Sequence, residues 1–358
     1  MGNAGDVRLN QEDNGSMLPT WGEVDQVAAR LMAPIVGAKP HEVSVMGSLT
    51  ANLHILMASF YRPIGERSKV ILERDTFSSD YYAVQSQIQW HGLEMDNMVL
   101  IDLISDDTLA LSTARILAIT SEHASTTALI ILSGVQYLTG QVLDMKQITS
   151  HAHSKGIMIG WDLAHAVGNV ELHLHDWLVD FAVWCNYKYM NAGLGAIGSI
   201  FVHERHGEVD RTKRMEGYRP RLAGWWGNDV STFAPSTGGA GYQLSNASVL
   251  DIVALTASLE VFNQTDMLEF LLGNIDRRPF KIITSSIPME RDCQLTLRFD
   301  DQHLLDRIMM RLKDKGFVVA QKEQMMQVAP VPLYNTFTEV WEFVDELRRA
   351  LASCRSVA

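Results

Sequence analysis

Residues 157–198 read IMIGWDLAHAVGNVELHLHDWLVDFAVWCNYKYMNAGLGAIG. The apolar run 157–161 ends in Asp162, and the run 181–185 leads through Asn186 and Tyr187 to Lys188. Acid and lysine therefore each stand just past the carboxyl end of a predicted strand, the edge at which open α/β sheets bind ligands. Their separation, 188 − 162 = 26 residues, is enough for a crossover between neighbouring parallel strands. A further run, 197–202, follows after a loop of only about a dozen residues, too short for a helical crossover, and is expected to pair antiparallel with 181–185.

The same alternation extends outward. Apolar runs at 69–72, 98–103 and 128–132 are separated by helical spacings at 79–90, 109–119 and 145–153. Strand, helix, strand, repeated, predicts a mostly parallel central sheet with helices on both faces. Upstream lie a helical pattern at 23–36 and a short apolar stretch at 42–46. Downstream, Leu250, Val253, Leu255, Leu259 and Phe262 mark a long helix leading to a small C-terminal α+β domain. The final helix carries a capping box, Thr336 and Glu339, and an apolar face of Val340, Phe343, Val344, Leu347 and Leu351. The expected division is a polar tail, 1–16, a large domain, 17–260, and a small domain, 261–358.

Composition narrows the function. A net charge of −12 over 358 residues opposes a nucleic-acid backbone or an anionic membrane and favours a small-molecule substrate. Cys185, Cys293 and Cys354 form no CxxC motif, and an odd count is no disulfide framework. Residues 1–16 have no signal-peptide core, and no apolar run approaches the ~20 residues of a membrane span. A cytoplasmic location is expected.

Asp162 and Lys188 suit pyridoxal 5′-phosphate (PLP). That chemistry needs an amine to hold the cofactor's aldehyde carbon and a carboxylate to keep its pyridine nitrogen protonated. It also needs a phosphate site, and Gly47-Ser48-Leu49-Thr50 opens a helical stretch with free backbone N–H groups. The order of these features is that of the PLP-dependent aspartate-aminotransferase fold, fold type I. Other signals are weaker. Gly193 to Gly198 matches GxGxxG but opens a strand, whereas a dinucleotide site needs a helix there. His165, His173 and His175 could suggest a metal but lack ligand spacing, so no metal is assigned. The 17 methionines are most simply core filling.

The stretches TANLHILMASFYRP, WDLAHAVGNVELHLHDW, DFAVWCNYKYMNAG, GYRPRLAGWWG, GYQLSN and VAPVPLYNTF resemble the kynureninase family, especially its fungal members. The resemblance covers most of the chain. It implies PLP-dependent hydrolysis of the Cβ–Cγ bond of L-kynurenine or 3-hydroxykynurenine, in tryptophan degradation and NAD biosynthesis, by a homodimer. It further implies catalytic roles for Lys188, Asp162 and Tyr187. Leu49 and Thr50 would hold the phosphate, Phe77 would stack on the ring, and Ser78, Ser79, Asp80, Ser133, His165, Trp225 and Asn246 would complete the cofactor pocket. Trp226, Asn246 and Gln327 would face the substrate. Gln327 stands where the family carries an arginine that clamps the substrate carboxylate, and Leu138 where it tends to carry a tyrosine. The family's upstream Gly-Asn-Ser-Leu-Gly stretch and substrate histidine do not appear before Met17. These departures leave two alternatives open: a fold type I enzyme of shifted substrate, or a truncated homologue that binds PLP or a partner without efficient turnover.

Overall fold

The computed structural model describes residues 23–102, 110–206, 238–264, 279–284, 295–329 and 337–355. The chain forms two compact units. The first comprises Met1–Asp102, Ser112–Gly134 and Asp144–Thr265; the second comprises Leu103–Leu111, Val135–Leu143 and Asp266–Ala358.

The first unit is built on seven strands, β1 (Val43–Val45), β2 (Lys69–Glu73), β3 (Met98–Ile101), β4 (Thr127–Ser133), β5 (Met158–Asp162), β6 (Phe181–Cys185) and β7 (Gly198–Val202). Their order across the sheet is β1-β7-β6-β5-β4-β2-β3. From β3 to β6 all pairings are parallel. The pairing of β7 with β6 is antiparallel, Phe181 opposite Val202 and Cys185 opposite Gly198, as the short connecting loop requires. β1 then adds antiparallel to β7.

The helices of this unit are α1 (Val24–Met32), α2 (Leu49–Phe60), α3 (Ser78–Trp90), α4 (Thr113–Glu122), α5 (Met145–Ser154) and α6 (Val249–Gln264). α1 stops short of the expected residue 36 because Pro34, two residues past its end, has no N–H to continue the ladder. α4 starts later than the helical spacing suggests, where the Ser112 hydroxyl accepts the Arg115 N–H at 3.4 Å. On α6, Ile252, Leu255 and Leu259 are buried, but Leu250 and Val253, expected on the same face, are exposed.

Leu53, Leu56, Met57 and Phe60 of α2 and Ala83, Val84 and Ile88 of α3 pack on Val70, Leu72, Leu129, Ile131, Phe181 and Val183 of the sheet. Alternate strand residues supply that face, as the period of two dictates. Gly160 is small for a reason of packing: a Cβ there would lie 2.2 Å from Cζ of Phe181.

The second unit carries β8 (Phe280–Ile282), β9 (Leu295–Phe299), β10 (Ala320–Lys322) and β11 (Met325–Val328) in the order β10-β11-β9-β8, all antiparallel. α7 (Gln302–Asp314) and α8 (Phe337–Arg355) cover the sheet. Leu305, Ile308 and Leu312 meet Phe343, Leu347 and Leu351 in its core. Thr336, the expected N-cap of α8, lies outside the described residues.

Candidate functional site

Three neighbouring strands end in polar residues at one edge of the first unit's sheet. β2 ends in Glu73, β4 in Ser133 and β5 in Asp162, and Ser133 and Asp162 are register partners. The Ser133 hydroxyl donates to Oε1 of Glu73, while Oε2 of Glu73 has no hydrogen-bond partner. Asp162 accepts the Ala164 N–H at 2.7 Å, which fixes its side chain at the start of the following turn. Asp80, in the first turn of α3, is buried, and the Asp162 carboxylate acts on it.

These carboxyl groups sit too close together and too far from water for all to be charged. Burial, opposed by the Ser133 hydrogen bond and reinforced by the Asp162 charge, lifts Glu73 to about 7. Burial together with the charges of Asp162 and Glu73 holds Asp80 well above the ordinary carboxylate range. The causes of these shifts include no cation of the described residues.

Beyond β6, Asn186 is buried and donates to the Ile197 carbonyl at 2.7 Å and to Ser199 Oγ at 2.9 Å, pinning the loop that carries Tyr187 and Lys188. Lys188 is half-buried, with its Nζ 5.9 Å from the centre of the Phe77 ring. Phe77 occupies the N-cap position of α3 and is 47% exposed, presenting an aromatic face at this edge. Partial burial, and then the neighbouring Cys185 thiol, push the Tyr187 hydroxyl up to about 12. The Cys185 thiol is itself pushed up, first by burial, and it feels both Lys188 and Asp162.

A second anchor lies at the start of α2. Gly47 holds φ +54°, a left-handed turn that a side chain would strain, and its carbonyl accepts the Gly198 N–H at 2.7 Å. Ser48 is the extended N-cap, and Leu49 and Thr50 form the first turn, which contains no acidic residue. That helix end offers unpaired N–H groups and the positive end of the helix dipole to an anion. Together, a buried carboxyl cluster, an aromatic face, an amine and an anion-binding helix end fit PLP.

The remaining expected residues are placed as follows. Ser78 is exposed, and Ser79 is half-buried with its hydroxyl 3.4 Å from Asp80 Oδ1. His165 is half-buried, with its ring edge-on to Tyr189 at 6.2 Å. Asn246 is exposed. Trp225 and Trp226 lie outside the described residues. Gln327 belongs to the second unit, on β11, where its amide donates to the Tyr137 carbonyl at 2.7 Å. Leu138 is buried in the same unit.

Glu73 is the functional-site candidate that sequence reasoning passed over; the only signal was a carboxylate ending the apolar run KVIL. The GxGxxG run leads into β7. Of the three histidines weighed as metal ligands, His173 pairs with Glu171 at 2.9 Å, and His175 joins His203, which sequence reasoning did not weigh, beside the buried Glu42. Most of the polar atoms there have partners, but Nε2 of His203 has none among the described residues. Glu42 accepts the Lys39 and Glu204 N–H groups at 2.9 and 2.8 Å, His203 Nδ1 accepts the Arg205 N–H at 3.2 Å, and the two imidazoles stack at 4.9 Å.

Residues 26–215 match the family model for aminotransferase class-V, and residues 261–347 match the kynureninase C-terminal domain. Kynureninase 1 of Aspergillus oryzae is 52% identical, over 91% of this chain and 73% of its own length. Kynureninase 1 of Aspergillus niger is 53% identical, over 92% of this chain and 76% of its own. Among solved structures, the apo cysteine desulfurase of Thermococcus onnurineus NA1 superposes with a TM-score of 0.72 at 15% identity, over 92% of this chain and 84% of that one, which speaks to the fold alone. Half the residues shared with fungal kynureninases over nine-tenths of the chain, on a fold of PLP enzymes with an acid and a lysine at its ligand-binding edge, decide the assignment: the chain belongs to the kynureninase family.

Proposed function

We propose that this protein is a PLP-dependent kynureninase that hydrolyses the Cβ–Cγ bond of L-kynurenine or 3-hydroxykynurenine, releasing L-alanine and anthranilate or 3-hydroxyanthranilate. The observation that carries the reading is the strand-end cluster of Glu73, Ser133 and Asp162 at the edge that also presents Lys188. The reaction belongs to tryptophan degradation and NAD biosynthesis. An acidic chain whose three cysteines form no framework suits the cytoplasm, and the family resemblance supports a homodimer.

PLP supplies an electron sink for the pair released at Cα and then at Cβ. Asp162 holds the proton on the ring nitrogen, which keeps that sink effective. Phe77 would offer its aromatic face to the ring and shield it from water. Leu49 and Thr50, at the positive end of α2, hold the phosphate. Lys188 would hold the cofactor through its amine, and that amine is the base that would take the proton from Cα. Tyr187, whose hydroxyl stays protonated because its pKa lies at about 12, donates a proton where the aryl carbonyl is hydrated and cleaved. The family resemblance assigns Trp225, Trp226 and Asn246 to contacts with the cofactor or the aromatic substrate.

Gln327 favours a second reading, a homologue that holds PLP but turns over weakly. Its amide is engaged with the Tyr137 carbonyl, and a neutral amide cannot form the bidentate charged pair an arginine gives a carboxylate. The test has two stages. Purified protein supplied with PLP should acquire a visible absorbance band that Lys188→Ala abolishes; protein that stays colourless rules out both readings. Anthranilate fluorescence on adding L-kynurenine then supports the first reading, and its absence from coloured protein supports the second.

A further inference from the structure

Glu73 has no counterpart in the chemistry just described, yet it is fully buried beside the group that faces the ring nitrogen. An ordinary strand-end glutamate reaches solvent or a basic partner. This one touches the Ser133 hydroxyl through Oε1 and leaves Oε2 unpaired. The charges acting on it most strongly are carboxylates: Asp162 at the end of β5 and Asp75 in the turn after β2. Asp80 on α3 feels both Glu73 and Asp162. Burying an unpaired charge costs far more than burying a neutral carboxyl, so a proton must reside in this cluster.

We propose that Glu73 is a positioning residue that holds a proton in the carboxyl cluster beneath the cofactor and thereby sets the charge Asp162 presents to the ring nitrogen. The proposal rests on the PLP reading above. Ser133 is the link, because its hydroxyl is bound to Glu73 and its backbone is in register with Asp162. Protons held on Glu73 and Asp80 lower the surplus negative charge that the cluster presents to the cationic ring. Were Glu73 ionised as well, the surplus charge would compete for the protons of the cluster and of the bound ring. Because burial and Asp162 bring Glu73 to about 7, that change falls within the working range of pH.

The sign follows from linkage. A carboxyl raised on folding binds more protons in the folded than in the unfolded state between its ordinary 4.5 and about 7, so folding stability falls as pH rises through that window. The test compares wild type with Glu73→Gln, a neutral isostere, and with Glu73→Asp and Ser133→Ala. In the unloaded protein, wild-type Tm should fall from about pH 5 to about pH 8, and Glu73→Gln should lose most of that fall. In the PLP-loaded protein, the visible band of wild type should titrate with a midpoint that Glu73→Gln removes or displaces by about one pH unit, the size of effect a nearby buried charge produces. Glu73→Asp should restore a titration. Ser133→Ala, which strips a hydrogen bond from the ionised form, should move the midpoint upward, and it stands in should Glu73→Gln fail to fold. Identical pH profiles of Tm and of absorbance in wild type and Glu73→Gln would overturn the proposal. A protein that takes up no PLP defeats the cofactor reading instead, and the Tm arm then still decides whether Glu73 holds the proton.

Discussion

Asp180→Asn should be among the most damaging single-atom-scale changes in the first unit. Asp180 immediately precedes β6 and is fully buried. It accepts the Ile159 N–H at 2.9 Å, His153 Nε2 at 2.9 Å, His206 Nε2 at 2.7 Å and Arg205 Nη2 at 2.5 Å. Burial alone would raise its pKa, but the hydrogen bonds from His153 and His206 and the charges of His206 and Arg205 outweigh it and hold the carboxyl far below its usual range. An asparagine oxygen can still serve the Ile159 N–H, but its NH2 meets donors where the carboxylate met them as an acceptor. Breaking a buried pair by removing one partner costs about 3–5 kcal/mol. Arg205 and His153 are partly exposed and can turn to water, so the lower end, ~3 kcal/mol, is expected. At roughly 2–4 °C per kcal/mol for a domain of this size, Tm should drop by about 6–12 °C at neutral pH. A depressed carboxyl contributes stability that is present above its ordinary 3.8 and is lost as pH falls below it. The gap between wild type and Asp180→Asn, followed by circular dichroism on heating, should therefore narrow on acidification below about pH 4. A variant that melts within about 1 °C of wild type at pH 7 would refute the reasoning. So would a gap that is constant with pH.

Two further substitutions test the site and its scaffold. Gln327→Arg should raise kcat/KM for L-kynurenine about ten- to a hundredfold, the worth of a hydrogen bond to a charged group at about 1.5–3 kcal/mol; unchanged kinetics would show that position 327 does not meet the substrate carboxylate. Gly160→Ala places a methyl 2.2 Å from Phe181 Cζ and 2.8 Å from Ile131 Cδ1, and should lower the urea midpoint by the equivalent of about 1–3 kcal/mol. The double variant Gly160→Ala with Phe181→Leu should recover part of that loss, and a double variant no better than the single would place the strain elsewhere.

The alternation of strand and helix was legible because each period reports one buried face. Runs such as 69–72, 128–132 and 181–185 became β2, β4 and β6 nearly to the residue. The antiparallel turn-back of β7 followed from loop length alone. Helix ends were less legible, since Pro34 and Ser112 act through single hydrogen bonds that periodicity does not see. The exposure of Leu250 and Val253 shows the same limit: an apolar residue in helical spacing does not say which way the stripe turns.

Asp162 and Lys188 could be found in the sequence because each follows a strand, and a parallel sheet puts every strand's carboxyl end at one edge. Glu73 follows a strand too, but its meaning depends on β2 lying beside β4, and β4 beside β5, an order the chain does not spell out. Nor does sequence reveal that its carboxyl is sealed from water, or that Asp80, in the first turn of a helix, is buried where the Asp162 charge acts on it. Local pattern determined which residues stand at the reacting edge. Tertiary structure decided which of them share a desolvated space and must therefore share protons, because a carboxyl's charge is set by the water and the neighbours it loses or gains on folding.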